Sequence, residues 1–172
     1  MAIYNESNAE CFVFTSKEGI LSKAAHDLKI RVEQFEIRVK DTSQAIEATF
    51  DASSLRLVSA QLDGREEDLP ARDVQKIHNH IVKDVLHSKE FPEVRFVSSS
   101  VEAVDDGFVV QGSLTLHGQT RPLIADIRAE GHRWVTDVEL RQPDFGIKPF
   151  RALFRTIRIK PDVQVRVSVP RR

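Results

Sequence analysis

Apolar and polar residues alternate along most of this chain. Every second residue is apolar over 28–32, and the alternation continues over 35–39 with its phase moved by one position. A period of two is typical of a β-strand that turns one face towards a core. The change of phase predicts a β-bulge at Glu33–Gln34, because one extra residue keeps both apolar sets on the same face.

The same alternation recurs in further segments, namely 46–50, 94–104, 108–116, 123–127, 134–140 and 163–169. The Asp-Asp-Gly at 105–107 is a strong turn signal between two of them. In total the pattern indicates about eight strands, many of them adjacent in sequence. This arrangement favours an antiparallel sandwich or a closed barrel over a parallel sheet.

Two segments depart from the alternation and have helical spacing. Val74, Ile77, Ile81 and Val85 are three or four residues apart and follow Pro70, which predicts one α-helix over about 71–86. Phe150, Leu153 and Phe154 predict a short helical turn near 149–155. The chain contains no internal repeat and no credible linker, so we expect residues 1–172 to form a single domain.

The charge balance and the termini narrow the classes of partner. The 25 basic and 26 acidic residues nearly cancel, which gives no reason to expect nucleic acid or an anionic membrane as a partner. No stretch is long and apolar enough to span a membrane. The first ten residues lack the features of a secretory signal, so we expect a cytoplasmic protein, or a periplasmic one if the sequence has been trimmed.

Motifs that resemble catalytic or metal sites have structural interpretations here. The two histidines of His-Asn-His at 78–80 point apart on a helix, and His-Asp at 26–27 opens a strand. Asp-Phe-Gly at 144–146 lacks every other kinase signature. The single cysteine, Cys11, excludes an internal disulfide and fits a buried thiol. His117 could act as a base, but no nucleophile accompanies it locally. We therefore expect no enzyme, no catalytic cofactor and no metal site.

The chain is instead rich in large apolar side chains, with ten phenylalanines, many of them on the inward phase of the predicted strands. The interior of an eight-stranded barrel can either be filled by side chains or hold a small ligand. Periodicity leaves both alternatives open.

Several stretches together carry a family resemblance. They are FPEVRFVSSSV at 91–101, GSLTLHGQTRPL at 112–123, DFGI at 144–147 and GILSKAAHDLKI at 19–30. Over about residues 10–169 the chain resembles the YceI-like polyisoprenoid-binding family. It departs from the family pattern at 152–156, where the sequence is ALFRT and the family often has a glycine. These residues bear on the shape of a tunnel at that end.

The resemblance implies an extended, eight-stranded, antiparallel lipocalin-like barrel with a helix packed near it. It also implies binding of a polyisoprenoid or an isoprenoid-quinone tail in an apolar tunnel, as a carrier, storage or sensor protein. The alternatives are a structural or protein-interaction module with a filled core and, less favoured, an enzyme acting on a small apolar substrate. A homodimer is compatible with a barrel of this size.

The alternation also nominates candidate residues for the ligand site. Those expected to face inward are Ile30, Val32, Phe35, Ile37, Phe50, Phe96, Leu114, Leu116, Trp134, Phe150 and Phe154. His26, Arg121 and Arg151 are candidates to meet a polar head group at the mouth of the tunnel. His117 is expected in the turn at 117–120, where Gly118 can adopt a positive φ.

Overall fold

A single curled, antiparallel sheet of twelve strands dominates the part of the chain that the computed structural model describes, residues 1–16, 28–62, 65–148 and 159–171. The strands are β1 (Ala2–Asn5), β2 (Glu10–Thr15), β3 (Leu28–Val32), β4 (Phe35–Val39), β5 (Ile46–Asp51), β6 (Leu55–Leu62), β7 (Arg65–Glu67), β8 (Glu93–Val104), β9 (Gly107–Leu116), β10 (Gln119–Glu130), β11 (Arg133–Arg141) and β12 (Asp162–Pro170). Their order in the sheet is β1-β4-β5-β8-β9-β10-β11-β12-β2-β3-β6-β7. The sheet forms a half-barrel, which confirms the predicted mainly β, lipocalin-like class.

The prediction of eight strands was wrong in number. β1 is only four residues long, and β7 is charged and exposed throughout, so neither carries an alternating pattern that could be recognised. β6 places Val58 outwards and Ser59 inwards, which obscures its alternation. β2 was not among the alternating segments either, and the segment 28–39 forms two strands, β3 and β4.

The break between β3 and β4 replaces the predicted bulge at Glu33–Gln34. β3 pairs with β2 and β6, whereas β4 pairs with β1 and β5, so the chain passes here from one part of the sheet to another. Ser54 holds this corner, since the Glu33 amide donates to its carbonyl oxygen (3.0 Å) and the Gln34 amide to its Oγ (3.1 Å). Both apolar sets nevertheless face the core, as the phase change predicted.

A helical segment packs against one part of the half-barrel. The α-helix α1 (Ala71–His80) continues into a π-helical turn (Ile81–Val85), close to the predicted range of 71–86. Ile77 and Ile81 are buried in a cluster with Ile30 and Leu57. The His78 Nδ1 lies 2.7 Å from the carbonyl oxygen of Leu55 on β6, which ties the helix to the sheet.

The helical turn predicted near 149–155 lies outside the described residues. A short 3₁₀ helix (Gln142–Phe145) instead follows β11 and ends at Gly146, whose φ is +69°. Among the described residues, no helix has the length and apolar character that a membrane span requires.

Candidate ligand-binding cavity

The inner face of the half-barrel surrounds a cavity of about 390 Å³. This volume lies within the range of roughly 300–1,000 Å³ that is usual for small-molecule sites. Strands from all parts of the sheet contribute to its wall, and the helical segment adds Ile77, Ile81, Val85 and Leu86. The side chains that alternate inwards along each strand therefore form a ligand-sized space between them.

The lining of the cavity extends along the strand direction. β11 lines it with Trp134, Val135, Thr136, Val138 and Leu140, and β12 with Val163, Val165, Val167 and Val169. Trp134 pairs with Val169 at one end of this wall, and Leu140 pairs with Val163 at the other. The six-residue step from Trp134 to Leu140 corresponds to about 20 Å at roughly 3.3 Å per residue. A space of this shape suits a chain-like ligand.

The wall of the cavity is almost entirely apolar. Its polar side chains among the described residues are Thr15, Gln44, Thr136 and Gln142, together with the amphipathic Tyr4 and Trp134. No Asp, Glu, Lys, Arg or His of the described part contributes to the wall. Among all the described residues, no group of three or more His, Cys, Asp or Glu side chains is placed to hold a metal ion. What the described wall offers a ligand is thus mainly buried apolar area.

Most of the nominated residues lie on this wall. Eight of them line the cavity: Ile30, Val32, Ile37, Phe50, Phe96, Leu114, Leu116 and Trp134. Phe35 is buried but is not a lining residue; its ring stacks against that of Phe50 at a centroid distance of 5.8 Å. Phe150 and Phe154 lie outside the described residues.

Several lining residues were not nominated from the sequence. The valines of β12 carried a clear signal, because they alternate strictly over 163–169. The sequence pattern places Ile77 and Ile81 on a helix. Helical periodicity does not show, however, which other element the apolar face of the helix contacts. Tyr4 lies on a strand too short to be recognised.

Comparison with known proteins relates this architecture to a family. A model of the YceI-like domain matches residues 6–170. The chain belongs to the YceI-like family. The UPF0312 protein plu2095 of Photorhabdus laumondii is 39% identical to this YceI-like chain over 51 residues, which span 28% of this chain and 27% of that protein.

Solved structures share the fold of this YceI-like protein at low sequence identity. Burkholderia cenocepacia BcnA has a TM-score of 0.66 and 14% identity, with 95% of this chain and 96% of that chain covered. A polyisoprenoid binding domain from Saccharophagus degradans, implicated in plant cell wall breakdown, has a TM-score of 0.62 and 11% identity, with 97% and 94% covered. The Campylobacter jejuni YceI protein has a TM-score of 0.59 and 16% identity, with 90% and 91% covered.

Of the three polar residues predicted at the mouth, the structure describes only Arg121, which has another contact in the YceI-like chain. Arg121 is exposed, does not line the cavity, and donates from Nε to the carbonyl oxygen of Asp144 (3.0 Å). His26 and Arg151 lie outside the described residues. His117 forms a two-residue turn with Gly118, both with positive φ, as in a type I′ hairpin. This is tighter than the predicted turn over 117–120, because Gln119 already belongs to β10.

His117 is held in this turn by local contacts. Its ring lies 4.6 Å from that of Phe91, and its Nδ1 is 3.2 Å from the carbonyl oxygen of Phe145. Its Nε2 has no hydrogen-bond partner. The ring of His87 lies 5.5 Å from the ring of His117 as well, so His117 is a turn residue that packs against two neighbouring rings.

The outer face of β10–β12 carries an ionic network that is separate from the apolar interior. Asp137 accepts hydrogen bonds from Arg128, Gln164 and Arg166 at 2.5, 3.1 and 3.3 Å. Burial by itself would raise the pKa of Asp137, but the hydrogen bonds from Arg128 and Gln164 and the charge of Arg166 outweigh it and lower the pKa. The hydrogen bond to Asp137 in turn raises the pKa of Arg128. This network links three strands on the face opposite the cavity.

Cys11, the single cysteine, lies on the cavity wall and is 1% exposed. Burial raises the pKa of its thiol to about 12, because the thiolate would lose its hydration there. In the unfolded chain the thiol ionises near its ordinary pKa of 9.0. The unfolded chain therefore releases a proton at a pH where the folded protein retains it.

This difference predicts a pH-dependent loss of stability. The contribution is fully present below pH 9 and is lost as the pH rises towards 12, since ionisation favours the unfolded chain. Between pH 8 and 10 the free energy of unfolding of the wild type should fall by about 1.4 kcal/mol more than that of Cys11→Ala. Urea unfolding of both proteins at the two pH values measures the difference. Equal losses in the two proteins would contradict it.

Proposed function

We propose that this YceI-like protein binds a long apolar ligand, a polyisoprenoid or an isoprenoid-quinone tail, and acts as a carrier, store or sensor without catalysing a reaction. The observation that carries the proposal is the apolar cavity of about 390 Å³. Each CH₂-sized group that leaves water for such a wall contributes roughly 0.8 kcal/mol, so a tail of several isoprene units can be held by burial alone. The polyisoprenoid binding domain of Saccharophagus degradans, which shares the fold, supports the same class of ligand.

The space inside the half-barrel argues against a structural module with a filled core. Apolar side chains of the described strands and of the helical segment line a space of about 390 Å³ and do not fill it. An apolar ligand in this space would remove their surface from water, which contributes roughly 25 cal/mol per Å² of apolar area buried.

The enzymatic alternative lacks support from the described part of the wall. It requires a histidine close to a carboxylate inside the barrel, and the described lining contains neither. Location in the cytoplasm and homodimer formation stay predictions from the sequence.

Native mass spectrometry of the purified protein, before and after organic extraction, tests the proposal. We expect a non-covalent mass that extraction releases as a hydrocarbon-rich lipid, and that reappears when geranylgeraniol is added to the extracted protein. Repeated preparations without bound lipid, together with no uptake of geranylgeraniol, would remove the basis for a binding function.

A further inference from the structure

Two polar side chains line the same end of the apolar cavity. Thr15, the last residue of β2, lines the cavity and is 6% exposed, and its hydroxyl has no hydrogen-bond partner. A buried hydroxyl without a partner destabilises a protein, because it has left water and gained nothing in return. A group that enters the cavity and pairs with Thr15 Oγ1 would remove that cost.

Gln142 lies at the same end. The amide of Lys160 donates to the carbonyl oxygen of Ser16 (2.7 Å), and Gln142 Nε2 donates to the carbonyl oxygen of Lys160 (3.4 Å). These contacts connect Gln142, which is 9% exposed and also lines the cavity, to the residue that follows Thr15. A carboxamide has two N–H donors and an acceptor oxygen, so the contact with Lys160 does not exhaust it.

From this arrangement we propose that the Thr15–Gln142 end of the cavity binds an uncharged, hydrogen-bonding head group of the ligand, with the apolar tail extended towards Trp134. The inference rests on the proposed function and specifies the class of ligand. Hydroxyl, carbonyl and amide heads fit. A phosphate or carboxylate head does not, because the described wall offers no cation to compensate the buried charge.

A second unpaired hydroxyl provides an internal control. Thr136 also lines the cavity, and its Oγ1 also lacks a partner. Its cross-strand neighbours, Ile127 and Val167, are apolar, so neither adds a second polar group beside it. It lies four residues along β11 from Leu140, about 13 Å at roughly 3.3 Å per residue. We place the tail of the ligand there.

Trp134, the only tryptophan of the chain, reports on the opposite end. It lines the cavity, contacts the ring of Phe108 edge-on at 5.3 Å and has the Arg171 guanidinium 4.5 Å from its ring centre. A tail that reaches this end changes the surroundings of the indole, so intrinsic fluorescence follows binding without a label.

The test is a fluorescence titration of delipidated wild type, Thr15→Val and Thr136→Val. The probes are geranylgeraniol, the hydrocarbon of equal chain length without the hydroxyl, and geranylgeranyl diphosphate. We expect the wild type to prefer the alcohol to both other probes. Thr15→Val should weaken binding of the alcohol about five- to tenfold and leave hydrocarbon binding unchanged, which corresponds to one neutral hydrogen bond. Thr136→Val, beside the tail, should change the affinities for the alcohol and the hydrocarbon by the same factor, because it removes no hydrogen bond to the head group.

Three outcomes would overturn the inference while leaving the proposed function intact. They are equal wild-type affinity for alcohol and hydrocarbon, binding of the diphosphate as tight as that of the alcohol, and an equal loss of the preference for alcohol over hydrocarbon in both threonine variants. The first two need no variant, so they hold even if a substitution impairs folding. Failure of every probe to bind the wild type would instead count against the proposed function itself.

Discussion

Replacing Ala125 by Phe should abolish ligand binding while preserving the fold. Ala125 lies on β10 opposite Val110 and lines the cavity, so a phenyl group at this position projects into the space that the ligand occupies. If the ring excludes about five carbon atoms of the ligand, at roughly 0.8 kcal/mol each, the loss is about 4 kcal/mol, or close to a thousandfold in affinity. The ligand-free variant should melt no lower than the wild type, because the ring fills an empty volume.

The adjacent residue supplies the matched control. Ile124 is 64% exposed and points away from the cavity, so Ile124→Phe adds the same ring to the opposite face of the same strand. It should retain co-purified lipid and wild-type affinity for geranylgeraniol. Native mass spectrometry and fluorescence titration of both variants separate occlusion of the cavity from a general effect of a new aromatic ring. Retained binding in Ala125→Phe would place the ligand elsewhere.

Gly107→Ala should destabilise the protein strongly. Gly107 begins β9 and pairs with both Val104 and Arg128. A Cβ atom built here would lie 1.8 Å from the carbonyl oxygen of Ile127, an approach that the backbone can relieve only by moving. Because three strands are joined at this point, we expect a loss of about 3 kcal/mol in the free energy of unfolding, at the upper end for overpacking.

A second glycine tests whether the clash is the cause. Gly131 has a φ of +56°, but a Cβ added there meets nothing within 4 Å. Gly131→Ala should therefore lose only about 1 kcal/mol, the usual penalty for a left-handed backbone conformation. Urea unfolding of the delipidated proteins measures both changes. A loss in Gly131→Ala as large as that in Gly107→Ala would show that steric contact with Ile127 does not dominate.

How much of the site could be predicted depends on how far apart in the sequence the interacting residues are. Alternation along a strand depends on neighbouring residues only, because successive side chains point to opposite faces. It correctly placed Ile30, Phe96 and Leu114 on the inside. It could not separate Phe35 from Phe50, since both alternate inwards and only packing between β4 and β5 places one ring behind the other.

The corner at 33–34 shows the same limit in the fold. The phase change indicated an irregularity at 33–34. A β-bulge within one strand and a break between two strands both produce this pattern. The pairing of β3 with β6 and of β4 with β5, with Ser54 between them, decides in favour of a break. The partners on β6 are 23–32 residues away in sequence and those on β5 are 7–15 residues away, so a pattern over neighbouring residues does not reveal them.

Periodicity and turn chemistry are local properties, so the chain alone is enough to predict a mainly β protein with one helical segment near residues 71–86 and an apolar interior. It also contains the motifs of the YceI-like family. The space of about 390 Å³ between the apolar faces, and the position of Thr15 and Gln142 at one end of it, become visible only once the strands are packed together. A cavity is a property of how distant surfaces fit together, so no single stretch of the chain contains it.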